Sequence, residues 1–94
     1  MFGFLRMKND KPLYYKLAKE LGTGPMPRSR LVSRYELKYG RKAVEAELDL
    51  MVEAGLLFQR PMSFGERVRE YPRASPDFRP AILALPMHAN QIAA

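Results

Sequence analysis

The chain is 94 residues long, enough for one small domain built around a single modest core. Its composition, 47% hydrophobic and 28% charged, excludes a disordered chain. Sixteen Lys and Arg against ten Asp and Glu give a net charge of +6, which favours an anionic partner, nucleic acid before an anionic membrane.

The chain has no cysteine, which removes disulfides and thiolate metal sites from consideration and leaves the redox compartment open. His88 is the only histidine, and no base–nucleophile pairing is visible around it. A zinc site would need carboxylates alone, so neither a metal, a cofactor nor enzymatic chemistry is expected. No run approaches the roughly 20 apolar residues of a bilayer span. The opening MFGFLRMKND lacks the apolar stretch of a secretory signal, so the expectation is a cytoplasmic protein without a membrane partner.

Residues 1–9 carry Phe2, Phe4, Leu5 and Met7, an apolar N-terminal arm suited to covering the core or meeting a partner chain. Asp10 has the chemistry of an N-cap and Pro12 suits a first helical turn, where its missing N–H costs little. Leu13, Leu17 and Leu21 recur at helical spacing, with Tyr14 and Ala18 beside them, so a first helix is expected over residues 11–21. GTGPMP, residues 22–27, reads as a loop, and no Gly-Lys-Ser/Thr follows to make it a phosphate cradle.

Pro27 opens a second helix, expected to end near Lys38. Leu31, Val32, Tyr35 and Tyr39 fall on one side of it, and Arg30, Arg34 and Lys38 line up beside them. Three like charges so placed repel one another by a few tenths of a kcal/mol per pair. A polyanion lying against the stripe would relieve that repulsion. Tyr39-Gly40 makes a tight turn, and a third helix begins near Arg41. Val44, Leu48, Met51 and Val52 form its buried stripe, flanked by Ala43, Leu50 and Ala54, and Gly55 ends it.

Residues 56–61 and 67–73 read as two short strands joined by a turn over residues 63–65, with Pro61 and Pro72 confining both to short or edge positions. From Ala74 the pattern dissolves into a proline-rich C-terminal arm, residues 74–94. Its AILAL segment (Ala81, Ile82, Leu83, Ala84, Leu85) reads as a strand or as an arm laid on a neighbouring subunit. His88 is expected to be exposed in that arm.

Helix, loop, helix, tight turn, helix, hairpin over residues 10–73 resembles a winged helix-turn-helix. The spacing of Leu48, Met51, Val52, Gly55, Leu56 and Leu57 is similar to the Leu-x-x-Leu-x-x-x-Gly-Leu-Leu ending of many such regulators, with Met51 at the second leucine position. The resemblance implies a mainly α fold with a small β-hairpin, a three-helix winged helix-turn-helix whose third helix enters the major groove. It further implies a small duplex-DNA-binding transcriptional regulator of prokaryotic, phage or plasmid type, and the apolar ends of the chain are candidates for making a homodimer.

Charge is unevenly spread. Residues 1–40 hold nine basic and three acidic side chains, residues 41–55 two and four, residues 56–94 five and three. The supposed recognition helix is the one acidic element, with Lys42, Glu45, Ala46, Asp49 and Glu53 expected outward. Glu47 projects among Ala43, Val44 and Met51, where a carboxylate belongs at a rim or beside an arginine. Arg28, Arg30, Arg34 and Lys38 before the helix and Arg60, Arg67, Arg69 and Arg73 after it are candidate phosphate contacts. Arg41 and Lys42 could reach bases, and Glu45 could accept from a cytosine amino group. A second expectation is an adaptor subunit of a nucleoprotein or protein assembly. It would offer Glu45, Asp49 and Glu53 together with Phe2, Phe4, Leu5, Ile82, Leu83 and Leu85 to a protein partner. RNA is a variant ligand, suggested by Arg67, Arg69 and Tyr71 on one hairpin.

Overall fold

The computed structural model describes residues 11–75, 77, 78 and 80–93. Phe2, Phe4, Leu5, Met7 and Asp10 lie outside the described residues. The described chain is mainly helical, with a small three-stranded antiparallel sheet.

Helix α1 (Leu13–Leu21) starts two residues later than the spacing suggested, with Pro12 as its N-cap. Pro12 still serves the first turn, because its carbonyl accepts from the N–H groups of Tyr15 at 3.1 Å and Lys16 at 3.2 Å. Leu17 and Leu21 are fully buried, and Leu13 and Ala18 pack beside them. The expected loop ends in a two-residue strand, β1 (Met26–Pro27), at one edge of the sheet. A proline is tolerated there because an edge strand does not need every N–H.

Helix α2 (Arg28–Tyr39) follows directly and buries Leu31 and Val32, while Tyr35 and Tyr39 pack against the core. Gly40, at φ 89°, makes the tight turn into α3 (Arg41–Glu53). That positive φ is strained for any residue with a Cβ. Val44, Leu48 and Met51 are buried, as the periodicity indicates. The helix closes in a Schellman arrangement, with Leu56 N–H on the Met51 carbonyl at 2.9 Å and Gly55 N–H on the Val52 carbonyl at 3.1 Å. Gly55 takes the left-handed φ of 80° this requires.

The region after β2 (Phe58–Pro61) departs most from expectation. Residues 67–73 are not a return strand. Phe64–Glu70 forms a helix, α4, and the return strand is β3 (Ala81–Ala84). Ser63 and Glu66 explain the first difference. Their reciprocal side-chain-to-backbone bonds form a capping box that nucleates a helix where alternation had suggested a strand. The second difference concerns position in the sheet. Strand order is β1-β3-β2, so AILA lies in the middle, paired antiparallel with both neighbours. Leu83 is fully buried, and Ala84, which points to the opposite face, is fully buried too. A strand covered on both faces shows no polar alternation, which is why its sequence resembled a detached apolar arm. Residues 80–93 therefore belong to the core and do not form an arm. They end in a 3-10 helix (Pro86–Gln91) followed by buried Ile92.

Fully burying a leucine contributes about 1.5–3 kcal/mol relative to leaving it exposed. Leu17, Leu21, Leu31, Leu48 and Leu83 together bring α1, α2, α3 and β3 onto one core. The free edge of β2 is blunt. Met62 N–H donates to the Pro80 carbonyl at 2.9 Å, continuing the ladder and leaving Gln59 and Pro61 facing outward. Pro61 has no N–H to offer, and its carbonyl accepts from Arg60.

Candidate nucleic-acid interface

The first turn of α3 combines three features, two of which, the missing side-chain cap and the missing acid, it shares with α1 and α2. Its N-cap is Gly40, so no side chain caps the leading N–H groups, and the turn holds no acidic residue. Its first two residues are Arg41 and Lys42, both exposed. Cations at a helix N-terminus oppose the helix dipole, and uncapped N–H groups there are ready donors to a phosphate. Among the described residues, neither Arg41 nor Lys42 has a salt bridge.

One to two turns further on, two of the four carboxylates that made this helix look acidic, Glu45 and Asp49, are tied down. Arg28, at the start of α2, donates from Nε and Nη2 to Glu45 Oε1 at 2.9 and 2.7 Å and from Nη2 to Asp49 Oδ1 at 2.7 Å. It also reaches the Glu45 carbonyl at 3.1 Å and Gln59 Oε1 at 2.7 Å, linking α2, α3 and β2. Burial works against the guanidinium's charge, but the hydrogen bonds to Asp49 and Glu45 outweigh it and raise its pKa. Glu45 is thus engaged by Arg28, and Arg28 is held between two carboxylates. The exposed face of α3 carries Lys42, Ala43, Ala46, Leu50 and Glu53. Glu47 is half-buried, and no arginine pairs with it among the described residues.

The other cations divide in the same way. Arg30 pairs with Glu70 at 2.9 Å and Arg34 with Glu20 at 2.9 Å, and both arginines stay about half exposed. Such surface pairs contribute on the order of 0–1 kcal/mol, so a phosphate can displace the carboxylate. Lys38 lies against the Tyr39 ring, 5.3 Å from its centroid. Arg60 is committed to the fold. It grips both oxygens of Glu66 at 2.9 and 2.8 Å, the Pro61 carbonyl at 2.8 Å, and the Ile92 carbonyl. The Arg60 hydrogen bonds, aided by the Ser63 N–H, push the Glu66 carboxyl down to about 2. Arg67 donates to the Ser75 carbonyl at 3.3 Å and lies over the Phe64 ring. Arg69 and Arg73 are exposed and have no salt bridge among the described residues.

A polar cleft of about 300 Å³ opens beside the α3 first turn, lined by Arg28, Ser29, Ser33, Glu36, Arg41 and Glu45. Its far wall is Phe78, which meets Tyr71 edge-on at 5.1 Å. The Tyr71 hydroxyl in turn hydrogen-bonds Ser29 on α2 and so anchors the β2–β3 connection to the helical layer.

The residues expected to meet a protein partner fare unevenly. Leu83 is fully buried and Ile82 and Leu85 are half-buried, so none is a free apolar arm. Asp49 and Glu45 are held by Arg28, and Glu53 is exposed. His88 is half-buried, not exposed, and its Nδ1 is buried with no hydrogen-bond partner among the described residues. No group of three or more His, Cys, Asp or Glu able to hold a metal occurs among the described residues, and no described helix is long and apolar enough to cross a membrane.

Sequence reasoning missed Gln59, Tyr71 and Ser29 as fixing points, and it missed α4. The Ser63–Glu66 box was a readable signal for α4, whereas the Arg28 network depends on tertiary geometry and left no local trace. No protein-family model matches the chain, and neither a curated protein nor a solved structure matches it.

Proposed function

We propose that the chain is a winged-helix module that binds duplex DNA mainly through phosphate contacts, as a small transcriptional regulator of prokaryotic, phage or plasmid type. The element order supports this reading. Helix, edge strand, helix, tight turn and helix precede two strands, joined through α4, that complete a sheet of order β1-β3-β2. The observation that carries it is the uncapped first turn of α3 with its exposed, unpaired Arg41 and Lys42. Arg28 supports the reading from behind, because it neutralises Glu45 and Asp49, the two carboxylates one to two turns further along the helix. Arg30 and Arg34 supply further exchangeable phosphate contacts.

The test is a salt titration of binding to a random-sequence duplex. Affinity falls with a log–log slope of about −0.9 per phosphate neutralised. Replacing Arg41 and Lys42 with alanine makes that slope shallower by nearly 2 on the same scale. A wild-type chain that fails to bind duplex at low salt contradicts the proposal.

A second reading, an adaptor subunit, is favoured by one observation. Leu50 and Leu56 are more than half exposed near the C-terminal end of α3, close in sequence to Glu53. In that case a basic, partly apolar protein surface covers this end of the helix. Leu50→Asp then abolishes a protein complex and leaves duplex binding intact.

A further inference from the structure

Helix α4 is anchored on one side and open on the other. At about 100° per residue, Glu66 and Glu70 share a face, and Phe64 and Val68 share the opposite one. The acidic face is turned to the body, where Arg60 clamps Glu66 and Arg30 makes an exchangeable, half-exposed pair with Glu70. The other presents Phe64, 75% exposed, with Val68 one turn on and also exposed. A Cβ built at the adjacent Gly65 also meets nothing within 4 Å. The Arg67 guanidinium sits 5.5 Å from the Phe64 ring centroid. Arg69 and Arg73, without a salt bridge among the described residues, add charge to the same connection.

The surface complementary to Phe64 and the Arg67 guanidinium over its ring is apolar where it touches and anionic around it. Both carboxylates of α4 are already engaged by arginines, which leaves the open side apolar and cationic. A base step of duplex DNA, apolar on its faces and edged by phosphates, has the complementary chemistry. Aromatic wedges flanked by arginine are a known means of opening such steps and bending the duplex.

We propose that Phe64 is a wedge that packs against a base step of bound duplex, with Val68 beside it and Arg67 directed to the neighbouring phosphate. This rests on the DNA-binding reading. It assigns to the β2–β3 connection a role separate from phosphate affinity, namely deforming the DNA.

Ring closure of a duplex of about 120 base pairs tests this, because at less than one persistence length (about 150 base pairs) spontaneous closure is slow. The wild-type chain accelerates closure about tenfold. Phe64→Ala returns the rate to that of free DNA, while its affinity stays within about threefold and its salt slope is unchanged. Phe64→Leu, which keeps an apolar wedge, retains part of the acceleration. Val68→Ala gives a partial loss and serves as an independent variant. Wild-type binding without accelerated closure overturns the wedge and leaves the DNA reading standing. So does equal acceleration by Phe64→Ala, or tighter binding to single strands than to duplex that depends on Phe64. A change in the solution mass of the free protein on Phe64→Ala overturns it as well, since the face then serves self-association. Absence of duplex binding by the wild type removes the DNA reading and the wedge together.

Discussion

The first turns of α3 and α4 solve the same problem in opposite ways. Helix α4 is completed from within. Ser63 Oγ accepts from Glu66 N–H at 3.2 Å, Glu66 accepts from Ser63 N–H at 2.8 Å, and Arg60 clamps the same carboxylate. Helix α3 begins at Gly40 with no cap, no acid and two cations. One turn is completed by side chains of the fold, and the other has no side-chain cap and no acidic residue. The arginines divide along the same line: Arg28 and Arg60 are structural ties, whereas Arg41 and Lys42 contribute nothing to the body of the protein. Net charge alone therefore does not show which cations are engaged within the fold.

Substitutions can break this contrast, and their expected effects on stability fall in a clear order. Arg60→Ala removes the Glu66 clamp and the bonds to the Ile92 and Pro61 carbonyls together, and should cost about 2–3 kcal/mol in urea unfolding. Arg28→Ala leaves Glu45 and Asp49 one turn apart with no cation between them, at a cost of about 1–2 kcal/mol. It should also weaken duplex binding by leaving Glu45 and Asp49 without their cation, and the combined Glu45→Gln and Asp49→Asn changes should restore that binding. If Arg28→Ala binds as the wild type does, its shielding role is wrong.

Acid titration comes next. The Glu66 carboxyl lies at about 2 in the folded chain against an ordinary 4.5. A depressed carboxylate contributes stability that is fully present above pH 4.5 and is lost as the pH falls toward 2. Discounted for the partial exposure of both partners, this is on the order of 1 kcal/mol. Glu66→Gln should flatten that part of the stability profile, and an unchanged profile contradicts the clamp. Smallest of all is the effect of Arg41→Ala with Lys42→Ala. It should leave stability unchanged or raise it by about 0.3–1 kcal/mol, because it removes cations from the positive end of a helix.

How much of this was readable in the sequence depends on the range of the interactions involved. The three main helices follow from local signals: leucines at helical spacing, Pro27 at one start, Gly40 and Gly55 at two ends. The Gly55 stop is the clearest, since its left-handed φ and the Schellman bonds are what a glycine at that position is for. The β2–β3 connection was misread because Val68 and Tyr71 alternate with charges as a strand would, and a capping box three residues wide decides the matter against alternation. AILA was separated from the fold because its partner strands lie 20 or more residues away in the chain. The sequence showed where the basic residues lie. It could not tell paired from unpaired cations, since the Arg28 partners lie 17 and 21 positions away.

The central claim is that the cations of the α3 first turn are kept for a phosphate backbone. The most direct test is the salt dependence of duplex binding for the wild type and for the variant with both Arg41 and Lys42 changed to alanine, alongside urea unfolding of the same two proteins. The account predicts unchanged or slightly higher stability together with a log–log salt slope shallower by nearly 2. Equal slopes for the two proteins, or a variant that loses stability, would contradict it.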